Sequence, residues 1–506
     1  MRHGTATFIT RIRADKLAAL EALLDEAAGE STALFTGVPG LHFARWAIID
    51  LSTPEPRDGP RDLRLVFGTD ATFPDTEAAP EALDARLVHG LVSRLARLRA
   101  LGARAAALFD GIQGACHGYP APGLEAPAAV ETWLLQHRVE AITRHVDFAY
   151  RFESPEELRD SVDVLRAVDR HLDARAPQLA RSPWRGRRRE LADLHAELRD
   201  HAASVSSTLF EPGWRRRLAA ARASAAASTW AYAFYRLCWS LPAVLYLQWR
   251  LRRERASRPP GPVPRVSAVA APWSDAMVQQ PMVHVVRISG GPLGLKLAKV
   301  ALRSVDLRLR RYVVGLNHIQ TIHCARWVLH SDGDGAGPHH LIFFSNYDDS
   351  WEAYIDAFID HADVRGFLEL IWSQSEGFPA RTAGDFVESF KAWLRAHEVP
   401  TRVWYSAALD GGPRQRHSVL LLHNALRLRE LLTRERIDRP LGDWSARRAF
   451  AAFLSRGACS PGRALLRPLA LARHSLSALS SAWSNSHGLT RPEPFPPAPP
   501  AQPAAP

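Results

Sequence analysis

The sequence predicts an α+β protein in which one β-α-β-β-α-β unit occurs twice, over residues 1–153 and 276–436. Two observations predict it. Short motifs recur in the same order along the two halves, and each half alternates strand-like and helix-like hydrophobic periods in the same sequence. The first motif is Leu41–Ile48, LHFARWAI, against Ile322–Leu329, IHCARWVL, which aligns His42 with His323, Arg45 with Arg326 and Trp46 with Trp327. The second is Gly118-Tyr119-Pro120 against Gly377-Phe378-Pro379. The third is Trp133-Leu134 with His137 and Val139 against Trp393-Leu394 with His397 and Val399.

The elements follow in order. In the first half a strand is expected at Thr5–Ile12, an amphipathic helix at Lys16–Ala28, strands at 41–50 and 63–68, a helix at 77–100 and a strand before Gly118. In the second half the strand is 282–288, the helix 292–311, the strands 321–330 and 340–346, the helix 351–361 and the strand 367–373. Each half then adds a helix (126–138; 383–397) and a strand-like run (145–152; 401–408). This order is the split βαβ, or ferredoxin-like, unit. Such a sheet has helices on one face only, and its bare apolar face must be buried. The two copies are therefore expected to pack as a pseudo-dimeric α/β barrel. The Gly/Asp-rich loop Ser331–Gly337 reads as a hairpin connection. It lacks the third acidic position and terminal Glu of a calcium loop, so no metal site is read there.

Between the halves, residues 154–255 read as a helical insertion. Its apolar stretch 226–249 holds one charge, Arg236, and as a helix is long enough to cross a bilayer. Arg236 near its middle, Pro242, and arginines on both flanks (Arg215–Arg217; Arg250, Arg252, Arg253, Arg255) favour a segment that lies in the interface or re-enters. A crossing helix and a buried helical hairpin are the alternatives. Residues 256–275 read as a linker, 437–484 as a C-terminal helical region, and the Pro-rich tail 485–506 as disordered.

The net charge is +11, carried almost wholly by arginine: four lysines stand among 64 basic residues. The charge gathers around the apolar stretch, which points to an anionic membrane surface as partner rather than nucleic acid. The four cysteines form no zinc-like spacing. The opening residues lack a signal-type apolar core. The expected location is the cytoplasmic face of a bacterial inner membrane.

The recurring histidines and arginines are the candidates for chemistry. Alternation along a strand places His323, Ala325 and Trp327 on one face and Cys324, Arg326 and Val328 on the other. Facing inward, His42, His323 and Trp327 would line a ligand cavity, where a histidine can ligate haem iron or act as acid or base. Facing inward instead, Arg45 and Arg326 would bind a carboxylate or propionate. The competing reading is a hydrogen-bonded core histidine and structural ion pairs. Asn346, Asp348 and Asp349 follow a strand and precede a helix, so Asp348 is either an acidic site residue or part of a cap. His137 and His397 read as helix-end packing.

The duplication and strand order resemble the dimeric α/β-barrel superfamily, which includes dye-decolourising peroxidases and chlorite dismutase-like enzymes. The strand His323–Trp327 and the run Ser345-Asn346-Tyr347-Asp348-Asp349-Ser350-Trp351 are similar to those of a group of bacterial proteins with no known activity to transfer. The resemblance, taken with the inward histidine candidates, implies a haem-dependent, peroxidase-like oxidoreductase, and the apolar stretch 226–249 makes it membrane-associated. The GxxDG-type peroxidase motif is not found, and the alternatives are a non-enzymatic membrane-associated scaffold or a protein that binds a small apolar ligand.

Overall fold

The computed structural model describes residues 2–52, 61–73, 80–120, 127–139, 141–143, 153–181, 188–206, 223, 230–243, 245–246, 279–289, 291–309, 321–331, 338–360, 368, 371–379, 386–407 and 418–433. They belong to two compact units: residues 1–163 with 208–427, and residues 164–207 with 428–506.

The larger unit is α+β. Its strands are β1 (Arg2–Arg11), β2 (Leu41–Asp50), β3 (Leu63–Phe73), β4 (Arg138–Val139), β5 (Ala141–Thr143), β6 (Gln279–Arg287), β7 (Ile322–Ser331), β8 (His339–Asp348), β9 (Glu398–Val399) and β10 (Thr401–Ser406). They make two five-stranded sheets, ordered β10-β2-β3-β1-β4 and β5-β7-β8-β6-β9, with every pairing antiparallel. The order is the same in both sheets, with one exchange. Strand β10, from the second half of the chain, lies on the edge of the first sheet, and β5, from the first half, lies on the edge of the second. Neither sheet is complete without a strand from the other half.

Helices cover one face of each sheet. On the first lie α1 (Leu17–Phe35), α2 (Pro80–Ala100), α3 (Arg104–Gly114) and α4 (Pro127–Gln136). On the second lie α7 (Gly291–Leu309), α8 (Trp351–Asp360) and α9 (Phe386–Ala396); α5 (Pro155–Arg181), α6 (Arg188–Val205) and α10 (Val419–Thr433) complete the set of named helices. Helix α1 shows why the sequence folds this way. Leu20, Leu24, Ala27, Ser31 and Leu34 recur at three- and four-residue spacing, forming one buried stripe. In β3, Leu65, Phe67, Ala71 and Phe73 point to the helices, while Val66 points the other way. The other faces of the two sheets meet through Ile9, Ala47, Ile49 and Val66 from one and Val283, Val328, Ile342 and Phe344 from the other.

The repeated motifs outside the strands brace the helix layers. Gly118 and Gly377 adopt positive φ (73° and 69°), a conformation glycine takes without strain. The turns they make put Tyr119 edge-on to Trp133 and Phe378 edge-on to Trp393. His137 and His397 each donate from Nδ1 to the carbonyl of the tryptophan four residues earlier, at 2.8 Å, closing the last turn of α4 and α9.

Several expectations are corrected. The strands form two separate sheets and no closed barrel. The strand expected before Gly118 is helix α3, and residues 371–372, within the strand expected at 367–373, are helical. Among the described residues, isolated bridges, Ile12 to Cys116 and Ile288 to Ser375, remain at those places. The apolar run Ala105–Phe109 suits either period, and neighbouring helices decide it. The sheet edges are instead filled by the two-residue strands β4 and β9. No helix among the described residues is long and apolar enough to cross a membrane. The strand expected at 145–152, the loop 332–337, the linker, the flanking arginines and the tail after 433 lie outside the described residues.

In the smaller unit, Glu197 on α6 pairs with His171 (2.6 Å) and Arg175 on α5. His195 hydrogen-bonds the Leu431 carbonyl at 3.0 Å.

One core residue is ill matched to its place. His284 on β6 stands opposite Phe343 and Glu398, the place that Phe8 holds in the first sheet opposite Phe67 and Arg138. It is fully buried among Trp372, Trp393 and His397, and neither ring nitrogen has a hydrogen-bond partner among the described residues. Desolvation, then the His397 ring, drives its pKa well below the ordinary value. A buried unsatisfied polar atom costs about 1–3 kcal/mol. His284→Phe is therefore expected to stabilise the protein by about 1 kcal/mol or more, measured as a raised denaturant midpoint. A lowered midpoint would mean that the imidazole nitrogens are satisfied.

Candidate functional site

The histidines and arginines shared by the two HxARW strands meet between the sheets. Each strand carries a bulge at its histidine, where the register slips between Leu41 and Phe43 and between Ile322 and Cys324. A bulge adds one residue and re-aims the side chains beside it. The histidines therefore lie on the same face as the arginines, and the tryptophans lie on the opposite face against the helices. This corrects the simple alternation that grouped His323 with Trp327. Trp46 and Trp327 belong to the helix-side cores. They stack on Phe67 and Phe343 at 4.9 Å and 4.7 Å between centroids.

The arginines cross from sheet to sheet. Arg45, on β2 of the first sheet, donates from Nη1 to the carbonyls of Met282 and Ser345, both at 3.0 Å, and from Nη2 to Asn346 Oδ1 at 2.5 Å. Arg326, on β7 of the second, donates from Nη1 to the Thr69 carbonyl at 2.6 Å and to Asp70 Oδ1 at 2.5 Å. The two reaches are reciprocal. Asp70 stands opposite Phe43 in its sheet as Asn346 stands opposite Cys324, and Thr69 and Ser345 are the preceding residues. Both guanidiniums sit over the Phe344 ring, at 5.6 Å and 4.7 Å. Arg45, Arg326, Asp70 and Asn346 are all 0% exposed. Gly68 makes room for one of them: a Cβ there would come within 2.5 Å of Arg326 Nη2.

The charges do not balance. Two guanidiniums share one carboxylate, because Asn346 stands where Asp70 stands in the other sheet. Burial pulls Arg45 down to about 10, against the opposing pull of Asp70. The Cys324 thiol beside them is pushed well up, first by burial and then by Asp70. It is not a nucleophile at neutral pH.

The histidines are engaged as well. His42 Nε2 shares a 2.7 Å hydrogen bond with Thr72 Oγ1. His323 Nε2 donates to Asp348 Oδ1 at 2.6 Å, and its ring meets Phe43 of the other sheet edge-on at 6.0 Å. Asp348 Oδ2 accepts the Val419 amide at 2.6 Å, tying β8 to the first residue of α10. His423 on α10 has its pKa lowered by burial and then by His323. The expectation that Asn346, Asp348 and Asp349 cap the following helix is corrected: Ser350 Oγ accepts the Ala353 amide at the start of α8. Asp349 instead takes the tight turn, at φ 72°.

All six predicted residues are thus placed. His42, Arg45, His323, Arg326 and Asp348 are drawn together between the sheets, and Trp327 is not. Asp70, Gly68 and Phe344 complete the cluster and were not anticipated. The available signal was that Thr69-Asp70-Ala71 stands where the second half has the Asn346–Asp348 run, at a spacing five residues longer after its HxARW strand.

These side chains do not fit a haem. Both histidines are buried and hydrogen-bonded, the guanidiniums are bound to carbonyl, amide and carboxylate oxygens of the opposite sheet, and Phe43 and Phe344 fill the space between. No group of three or more metal-ligating side chains occurs among the described residues. A cavity of about 10 Å³ lies instead on the helix side of the second sheet, lined by apolar residues including Phe343, Tyr354 and Trp372. That volume suits about one water-sized sphere. What the cluster does chemically is hold two sheets together. Compared with protein-family models, curated proteins and solved structures, the chain matches none.

His42 makes the site sensitive to acid. Burial lowers its pKa from 6.5 to about 3, with a backbone hydrogen bond to Glu153 opposing. The unfolded chain therefore takes up a proton that the folded one refuses. The stabilisation is full above 6.5 and declines as pH falls toward about 3. The thermal midpoint is expected to fall between about pH 7 and pH 5, and His42→Gln should make that dependence shallower. Parallel slopes for wild type and variant would show that His42 does not supply it.

Proposed function

We propose that this protein is a membrane-associated scaffold without catalytic activity: two ferredoxin-like copies, fused in one chain and locked by strand exchange, that hold an interfacial helix against the cytoplasmic face of an anionic membrane. The strand order β2-β3-β1-β4 and β7-β8-β6-β9 supports the ferredoxin-like reading. Against catalysis stands the use of every candidate residue in packing and hydrogen bonds inside the core.

One observation carries the membrane reading. Residues 230–243 are helical, with a π turn at Arg236–Ser240, and their large apolar side chains face outward. Trp230 is 80% exposed, Phe234 70%, Leu237 69% and Trp239 60%, and Leu241, Leu245 and Tyr246 continue the patch. Tyr232, by contrast, is buried. An exposed apolar patch of this kind on a folded protein marks an interaction surface. Tryptophan and tyrosine prefer the headgroup region, and the arginines that flank the stretch in sequence suit anionic lipid.

The full chain is expected to co-sediment with vesicles containing phosphatidylglycerol. Replacing Trp230, Phe234 and Trp239 together by serine should lower the partition coefficient at least about tenfold, since each buried aromatic contributes about 1.5–3 kcal/mol. A wild-type chain that stays in the supernatant and is monodisperse without lipid or detergent would contradict the reading.

A further inference from the structure

The aromatic helix has a charged neighbour. Its π turn packs on α7. On α7, Ala298, Ala301, Leu302 and Val305 enter the helix-side core of the second sheet. Leu293, Lys296, Lys299 and Arg303 are left exposed on the other side. At about 100° per residue, the three cations fall within an arc of roughly 60° and make one stripe. In a chain that uses arginine almost everywhere, two of the four lysines stand here. Lys296 and Lys299 have no ion-pair partner among the described residues. The only acidic residue of α7, Asp306, is buried and bonded to Arg303 at 3.1 Å. Asp306 offsets the charge of Arg303, and no carboxylate on this helix offsets Lys296 and Lys299. Tyr235, half-buried at the junction, lies close enough to Arg303 to feel its charge, so the stripe and the aromatic patch adjoin.

We propose that α7 and the aromatic helix form one composite surface for an anionic phospholipid bilayer, in which Lys296, Lys299 and Arg303 bind lipid phosphates while Trp230, Phe234 and Trp239 enter the interface. The proposal rests on the membrane reading above and adds the source of its lipid selectivity. Charge complementarity is the argument for this occupant. Lysine suits the role, because its apolar stem lies along the surface while the ammonium reaches a phosphate. The attraction is electrostatic and therefore screened by salt.

The test uses the full chain with two vesicle types, phosphatidylcholine alone and phosphatidylcholine with phosphatidylglycerol. The wild type is expected to partition at least about tenfold more strongly onto the anionic vesicles, and high salt should remove the difference. Lys296→Gln with Lys299→Gln, at surface positions that leave the circular dichroism unchanged, should lose about tenfold on anionic vesicles and nothing on neutral ones. Equal binding of wild type to both vesicles, or a double variant that keeps the anionic preference, overturns the proposal and leaves the membrane reading standing. Binding to neither vesicle overturns both, as does a wild-type dimer that forms through this face and excludes lipid.

Discussion

Arg45 and Arg326 each leave their own sheet and bind the backbone and side chains of the other, and the rest of the core is arranged around that crossing. A buried guanidinium is costly unless its donors find acceptors. The sheets supply strand carbonyls, Asn346 and Asp70 to both Nη atoms of Arg45 and to Nη1 of Arg326, while Nε of both arginines and Nη2 of Arg326 find no partner among the described residues. Phe344 lies beneath both cations, and Gly68 carries no side chain where Arg326 must pass. The apolar contacts between the sheets are small, interchangeable side chains such as Ala47, Val66, Val283 and Val328. Apolar contact alone is non-directional. The reciprocal hydrogen bonds fix which residues of the two sheets meet, and the exchange of β5 and β10 ties the same two halves at their edges.

The two halves have diverged around this shared frame in ways that bear on function. Asp70 stands opposite Asn346, Thr72 opposite Asp348, and Phe8 opposite His284, each pair occupying one place in the two sheets. The second half therefore carries more polar groups in its interior: His284 on the helix side of its sheet, and His323 and Asp348 between the sheets with half-buried His423 near them. These have the chemistry of an acid–base site but the burial of a brace. Asp348 joins His323 to the start of α10, so the pair positions a helix. The outward-facing chemistry is elsewhere, in the aromatic helix and the cationic stripe of α7.

The HxARW strand was legible because each of its side chains answers a separate physical demand: a cross-sheet donor, a ring for the helix layer and a polar ring at the bulge. Two of the three motifs beyond chance composition, the Gly-x-Pro turn and the Trp-Leu-x-x-His helix, likewise meet in space as they recur in sequence. The bulge itself was not legible. It depends on how β2 and β7 pair with their neighbours, and one extra residue reverses the facing of everything before it. For that reason the histidines and arginines were assigned to opposite faces when they share one. Strand exchange was equally hidden, since β5 and β10 follow their own halves in sequence and nothing local says which sheet they will join. The role of Lys296 and Lys299 depends on which face of α7 is covered, a matter of tertiary packing.

The crossing of the arginines is tested most directly by a double-mutant cycle on Arg326 and Asp70, using Arg326→Met and Asp70→Leu with stability read by chemical denaturation. Arg326→Met takes from Asp70 its guanidinium donor and Asp70→Leu leaves both guanidiniums without a carboxylate; each should cost about 3–5 kcal/mol, while the double variant should cost far less than their sum. Additive losses would mean that the two side chains do not meet between the sheets, and the account of the core would fail.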